Sequence, residues 1–395
     1  MRHEPRPRRR GLVILASLLG LAVTHPASAA ELTAILTQVE GTVQLAGPGV
    51  SDLPLATLWQ TIRAGVAVHV PAGGSAGIVC SSRRFVRLHG PASWSLTEPG
   101  CAGGKELTPG EYALVAPQGG RFRVISGLLT LEREVRAGQG EDPLTPEVLA
   151  PRNTALRVLR PAVSWTRVPS AVEYRVAWNG RQVGYDKRLA AGEVSCAATT
   201  AGYEACELPW PADRPALAQG EIYFLEIGSR GGGVEPWHSS PPVEVRTLGA
   251  AALAALGERL RRVASLGLEG PGLEVARAGV LAGAGLLAEA AEIVRQVLAI
   301  TPTGALRVTL ADIDFAAGLF RLAEPLYRET LDSGPQAVRA AAAFGLGRIE
   351  YARERFREAA SDFRLACQLY AQEHLDEERA AACQAAAGAA ARLPH

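Results

Sequence analysis

Lysine is nearly missing from this chain: only Lys105 and Lys187 occur, so arginine carries almost all the positive charge. There is also no basic block beyond the first ten residues. The whole chain carries a formal charge of +1. Setting aside residues 1–30, which hold five arginines and the single acid Glu4, leaves 36 basic and 39 acidic residues, a net of −3. Such a chain offers no electrostatic footprint for nucleic acid or anionic lipid, and neither is expected as a partner. Long apolar runs are lacking as well. Past the N-terminus the longest are Leu248–Gly257 and Val280–Ala288, flanked by charges such as Glu258 and Glu289, so no transmembrane helix is expected in the mature chain.

Reactive motifs are equally scarce. No C-x-x-C occurs among the six cysteines, which removes the usual signature of redox catalysis and of a thiolate zinc site. The histidines after the leader, His69, His89, His238, His374 and His395, show no H-E-x-x-H or other close ligand spacing, so no metal is expected. Gly73-Gly74-Ser75-Ala76-Gly77 copies a nucleophile elbow, yet the strand-like Ile78-Val79-Cys80 follows where a helix is required; a hairpin loop is expected. Gly283-Ala284-Gly285-Leu286-Leu287-Ala288 imitates a dinucleotide fingerprint without a preceding strand, and reads as a tight helix–helix turn. Asp312 and Asp314, two apart on a helix, point away from each other and form no carboxylate pair. No catalytic residue and no cofactor is expected.

What is present begins with a leader. Arg6, Arg8, Arg9 and Arg10 precede the apolar run Gly11–Val23, then Pro26 and the small residues Ala27-Ser28-Ala29-Ala30. This predicts a secretory signal over 1–30, cleaved after Ala29 or Ala30, for a periplasmic or secreted protein. An uncleaved anchor is the alternative. The cysteines fall into local pairs suited to that compartment: Cys80 with Cys101, Cys196 with Cys206, and Cys367 with Cys383. Disulfides are expected for the first two. For the third, helix geometry allows either a bridge or two buried thiols. A turn centred near Leu375 would put Cys367 and Cys383 at equal height on an antiparallel pair of helices.

Three regions follow the leader. Over 31–142 short β-segments alternate with Gly and Pro: Ile35–Glu40, Thr42–Leu45, Gly65–Val70, Ile78–Cys80, Phe85–Leu88, Tyr112–Val115 and Phe122–Ile125. Gly41-Thr42-Val43-Gln44-Leu45, Leu58–Gly65, Val68–Gly74 and Phe85–Gly90 through Trp94-Ser95-Leu96 resemble a FecR-like domain. That family's sigma-regulating members carry a folded cytoplasmic segment, whereas only ten residues precede the apolar run here, so transcription control is not carried over. Pro143, Pro146 and Pro151 mark a linker. Over 151–247, Val163-Ser164-Trp165, Tyr174-Arg175-Val176-Ala177-Trp178, Glu221–Ile227 and Pro242–Arg246 resemble a fibronectin type III-like sandwich.

From 248 to 395 the composition turns to Ala, Leu, Glu and Arg at helical spacing. Gly285–Ala290 and Gly318–Ala323 repeat at an interval of 33, and Leu346-Gly347 through Ala359, Phe363 and Ala366 forms a third copy with three extra residues at its inter-helix turn. Ala290, Ala323 and Ala359 take the small position, while Val294, Tyr327 and Phe363 take the large apolar one. The period is near the ~34 residues of a tetratricopeptide repeat, which this region resembles.

The fold class expected is therefore multidomain β plus α, ending in a helical solenoid. The expected function is a non-enzymatic exported adaptor binding protein or peptide partners in the bacterial cell envelope. The alternatives are an envelope hydrolase or transferase with an inter-domain site, and a FecR-type signal relay. The resemblance implies a concave groove lined by Thr309, Asp312, Phe315, Phe344, Arg348 and Tyr351, with Ala276, Gly279 and Ala282 as a smooth apolar entrance, fit for a helix or extended peptide. A neighbouring module of the same chain could fill that groove instead. Trp237, beside Pro236 in a Gly-rich loop, is the expected exposed contact for glycan or peptide.

Overall fold

The computed structural model describes residues 33–47, 55–97, 101, 103–117, 142–181, 184–199, 202–232 and 235–393. The expected leader and the segment Phe122–Ile125 lie outside these residues. A β-rich region comes first and a region of eight helices follows.

β1 (Thr33–Glu40), β3 (Thr61–Arg63), β5 (Ser75–Cys80), β6 (Arg84–His89) and β8 (Lys105–Glu106) form a sheet in the order β3-β1-β5-β6-β8. β2 (Gln44–Ala46), β4 (Ala67–Val70) and β7 (Ala92–Ser95) form a second, in the order β2-β4-β7. Leu36, Ile62, Ile78, Val68 and Trp94 meet between them. One expectation is corrected here: Tyr112–Val115 is not a strand but part of helix α1 (Pro109–Val115). The reason is local. Thr108 and Glu111 form a capping box, and Pro109 opens the first turn.

The second β unit is a two-sheet sandwich. β10 (Thr154–Leu156), β12 (Glu173–Gly180), β13 (Tyr185–Ala190), β16 (Ile222–Arg230) and β18 (Val243–Thr247) run in the order β10-β18-β16-β12-β13, with β17 (His238–Ser239) paired to β16. Opposite lie β14 (Ser195–Ala198), β15 (Glu204–Leu208), β11 (Val163–Thr166) and β9 (Val148–Ala150), in that order. Trp165, Trp178, Tyr174 and Tyr223 fill the space between the sheets. The stretch read as a linker thus supplies β9, and the expected Cys196/Cys206 pair lies across the paired strands β14 and β15.

The helices are α2 (Ala250–Ala264), α3 (Gly270–Gly283), α4 (Leu287–Ile300), α5 (Gly304–Ala316), α6 (Phe320–Ser333), α7 (Gln336–Ala352), α8 (Phe356–Gln372) and α9 (Asp376–Ala390). α3/α4, α5/α6 and α7/α8 are successive hairpins. Ala290, Ala323 and Ala359 are fully buried, as are Val294, Tyr327 and Phe363, so the sequence register holds through all three. Glycine makes room for the rings: a Cβ on Gly345 would overlap the Tyr327 ring, and one on Gly347 would stand 2.7 Å from Phe363. The extra residues of the third copy are not in its turn. Arg353–Arg355 is as short as Ala284–Leu286, and α7 is longer instead, 17 residues against 13 in α5.

Each turn closes alike. Leu286, Leu319, Arg355 and Leu375 donate their N–H groups to Leu281, Asp314, Glu350 and Tyr370 carbonyls, five residues back. The residue before each adopts positive φ: Gly285 (81°), Gly318 (79°), Glu354 (60°) and His374 (56°). This 6→1 bond is the Schellman end of a helix, where Gly is the least strained choice.

Candidate functional site

The expected groove residues lie on α5 and α7, and the structure brings them together as an internal seam. Asp312 accepts from the Tyr327 hydroxyl at 2.7 Å and from Arg348 Nη1 at 3.3 Å. The Arg348 guanidinium carbon stands 3.8 Å from the Phe315 ring centroid. Thr309 donates to the Ala305 carbonyl at 2.7 Å, one turn back on its own helix. Phe344 packs on Phe363 at 5.2 Å between centroids, and Tyr351 on Phe356 at 5.3 Å. Thr309, Asp312, Phe315, Phe344 and Arg348 are all buried, Arg348 with only 5% of its surface exposed, while Tyr351 is half-buried. Five of these six therefore present nothing to a partner. This corrects the expectation of an open groove.

The physical reason is that the helices themselves pack on these residues, Tyr327 of α6 on Asp312 and Phe363 of α8 on Phe344, while α1 and β1 cover the expected entrance on α3. Gly279, in the expected apolar entrance, has the Leu114 side chain of α1 against it, and Gly272 has the Thr37 carbonyl of β1. Ala276 and Ala282 are buried beside them. Glu269, just before α3, accepts from Arg87 Nη1 at 2.8 Å and from Gln38 Nε2 at 3.2 Å, and Lys105 donates to the Ser265 carbonyl.

The sandwich docks through the short segment Arg152–Ala155. Ala155 N–H donates to the Gly285 carbonyl at 2.8 Å, and Thr154 Oγ1 accepts from Leu287 N–H at 2.9 Å. The latter caps α4 from outside. Arg152 Nε and Asn153 Nδ2 both donate to the Ala317 carbonyl, at 3.1 and 2.9 Å. Burial pulls the Arg152 pKa down, against the pull of Glu147. The two turns gripped in this way read Ala-Gly-Leu at 284–286 and again at 317–319. That identity was the available sign of a shared docking role. The third turn reads Arg353-Glu354-Arg355 and has no such contact among those described.

Asp314 belongs to a different face of α5 from Asp312. It is buried, with Arg295 Nη2 3.3 Å away, and burial pushes its carboxyl up to about 6 against the opposing pull of Arg295. Tyr203, in the sandwich, is raised by burial too, within the field of both groups.

Trp237 lies half-buried on the outer face of the sandwich, with its ring against Gly228. Arg230 and Arg188 stand 4.9 and 5.9 Å from its centroid. Ser75 sits in β5 and its hydroxyl donates to Glu40 Oε2 at 2.8 Å, an acceptor that is not an imidazole. Cys80–Cys101, Cys196–Cys206 and Cys367–Cys383 are all bridged. Among the described residues no helix is long and apolar enough to cross a membrane. No family model matches the chain, and no curated protein matches it.

Proposed function

We propose that the chain is an exported, non-enzymatic adaptor of the bacterial cell envelope: a FecR-like module and a fibronectin type III-like sandwich fastened to tetratricopeptide-like hairpins. The observation that carries this reading is the grip of Arg152–Ala155 on two identical repeat turns, because it makes the helical array a frame for its own β modules. Stacked hairpins of this kind serve recognition through surface rather than chemistry. Three disulfides favour an oxidising compartment, in keeping with the leader pattern. The sandwich reading is supported by its strand order and by Tyr223, whose hydroxyl accepts from Ala218 N–H at 2.8 Å near the start of β16. With the α5–α7 seam internal, contact with a protein or peptide partner falls to outward faces.

The test is cross-linking in intact cells together with a turnover screen on the purified exported chain. The reading expects a mature N-terminus at Ala30 or Glu31, a reproducible envelope-protein cross-link, and no hydrolysis of peptidoglycan fragments or model esters above background. Turnover, or a chain retained in the cytoplasm, would overturn it.

A further inference from the structure

The first and last helices of the array differ from those between them. α8 exposes Arg357, Glu358 and Arg364, and α4 exposes Glu292 and Arg295, so both signs of charge run along each of these faces. α9 segregates its charges instead. Asp376, Glu377 and Glu378 stand at its start against Arg379, a net of −2, and no charged residue follows from Ala380 to Ala391. Its inner face packs on α8 through Ala382, Ala385, Ala386 and Ala389. Its outer face, made of Ala380, Gln384, Ala387, Gly388 and Ala391, is exposed, and a Cβ on Gly388 would meet nothing.

α2 holds the complementary order. Its exposed first half is Ala251, Ala252, Ala254 and Ala255, while Arg259, Arg261 and Arg262 against Glu258 give its last half a net of +2. Leu253, Leu256, Leu260 and Val263 pack into the core. Compensation of each helix's own dipole explains acids at the start of α9 and bases at the end of α2. It does not explain why the rest of each exposed face carries no charge, since the end of a stack ordinarily turns a polar face to water.

Successive helices of such an array alternate in direction, so a helix added next to α9 would run antiparallel to it. Laid in that sense, α2 of a second copy sets its alanines on Ala387, Gly388 and Ala391. The same placement brings Arg261 and Arg262 over Asp376 and Glu377. Side chains this small let helix axes approach to about 8 Å. The alternative self-pairings match less well. Two α9 helices laid antiparallel offer their acids only Arg392, and two α2 helices set arginines over alanines.

We propose that α9 of one copy docks antiparallel on α2 of another, a head-to-tail contact with the opposite ends left open, so that copies add into short chains. One helix face buries well under the ~800 Å² per partner of a standard interface. The contact is therefore weak, reversible and dependent on its charged ends.

The test is sedimentation velocity of the full exported chain over a concentration series, at about 0.05 M and about 0.5 M salt. The weight-average sedimentation coefficient should climb past that of a dimer as concentration rises, and the association constant should fall at least tenfold at the higher salt. Arg261→Glu/Arg262→Glu and Asp376→Arg/Glu377→Arg should each weaken association at least tenfold. An equimolar mixture of the two variants should restore it, because each reversed end then meets its opposite. A chain that stays monomeric throughout overturns the proposal, and so does association that salt leaves unchanged; both are read on the wild type and need no variant to fold. Association that stops at a dimer and survives Arg261→Glu/Arg262→Glu would be the α9–α9 pairing, and a mixture that restores nothing would remove the charge match.

Discussion

Arg348 and Phe315 meet face to ring: the guanidinium carbon stands 3.8 Å from the ring centroid, and the same group holds Asp312 Oδ1 at 3.3 Å. A cation, a ring and a carboxylate with 5%, 6% and 2% exposure make a seam between hairpins, where charge is costly unless every partner is kept. Arg348→Ala leaves the Asp312 carboxylate buried without its cation and is expected to lower stability by roughly 3–5 kcal/mol. Pairing Arg348→Met with Asp312→Leu should recover most of that loss. Urea unfolding of the three proteins decides it; a loss under 1 kcal/mol for Arg348→Ala would mean that the seam is wet.

Gly345 exists to admit the Tyr327 ring. Gly345→Ala should cost about 1–3 kcal/mol by overpacking, despite the better helix propensity of alanine. Adding Tyr327→Leu should make the alanine less costly than it is alone, and a double-mutant cycle in thermal unfolding reads the coupling.

Asp314 gives stability a pH dependence of definite sign. Its folded pKa, about 6, lies above the ordinary 3.8. Between those values the native state binds more protons than the unfolded chain, so stability falls as pH rises through that window, by on the order of 2–3 kcal/mol. Asp362, pushed up to about 6 by burial and then by Glu350, acts in the same direction. Asp314→Asn should flatten the decline between pH 4 and 6 while leaving the part due to Asp362. Equal slopes in urea midpoint against pH for wild type and variant would remove Asp314 from the account.

Thr154 both accepts from Leu287 N–H and donates to the Gly285 carbonyl. Thr154→Val leaves the first turn of α4 uncapped, at a cost of about 1 kcal/mol. Exchange of the Leu287 amide should quicken, and Thr154→Ser should restore it. An unaltered amide in Thr154→Val would show that the sandwich does not hold this turn.

The sequence made some of this legible and hid the rest for physical reasons. The helical register could be read because packing demands a small residue at Ala290, Ala323 and Ala359 and a large one four positions on. The cysteine pairs could be read because each closes a short span, and Cys367 on α8 and Cys383 on α9 stand 5.1 Å apart at Cα. Tyr112–Val115 is ambiguous in sequence since a run of four apolar residues suits strand and helix alike, and the deciding capping box stands just upstream. The groove reading fails because repeat register alone does not distinguish a groove position from one packed between helices, as Asp312 is by Tyr327 and Phe344 by Phe363. Arg152 and Asn153 grip a backbone carbonyl, Ala317 O, which has no signature in sequence, and Leu114 arrives from a helix more than a hundred residues away.

The central claim is that the chain's own modules and hairpins bury the face that would otherwise receive a partner. Hydroxyl-radical footprinting of the purified exported chain, without any partner, measures this side chain by side chain. Phe224 on the outer face of β16, 46% exposed, is the internal standard for an accessible ring, and Trp165, fully buried, for a protected one. The account predicts that Phe315 and Phe344 oxidise as slowly as Trp165 after correction for intrinsic reactivity. Oxidation of either at a rate comparable with Phe224 would mean that the groove is open, and would contradict it.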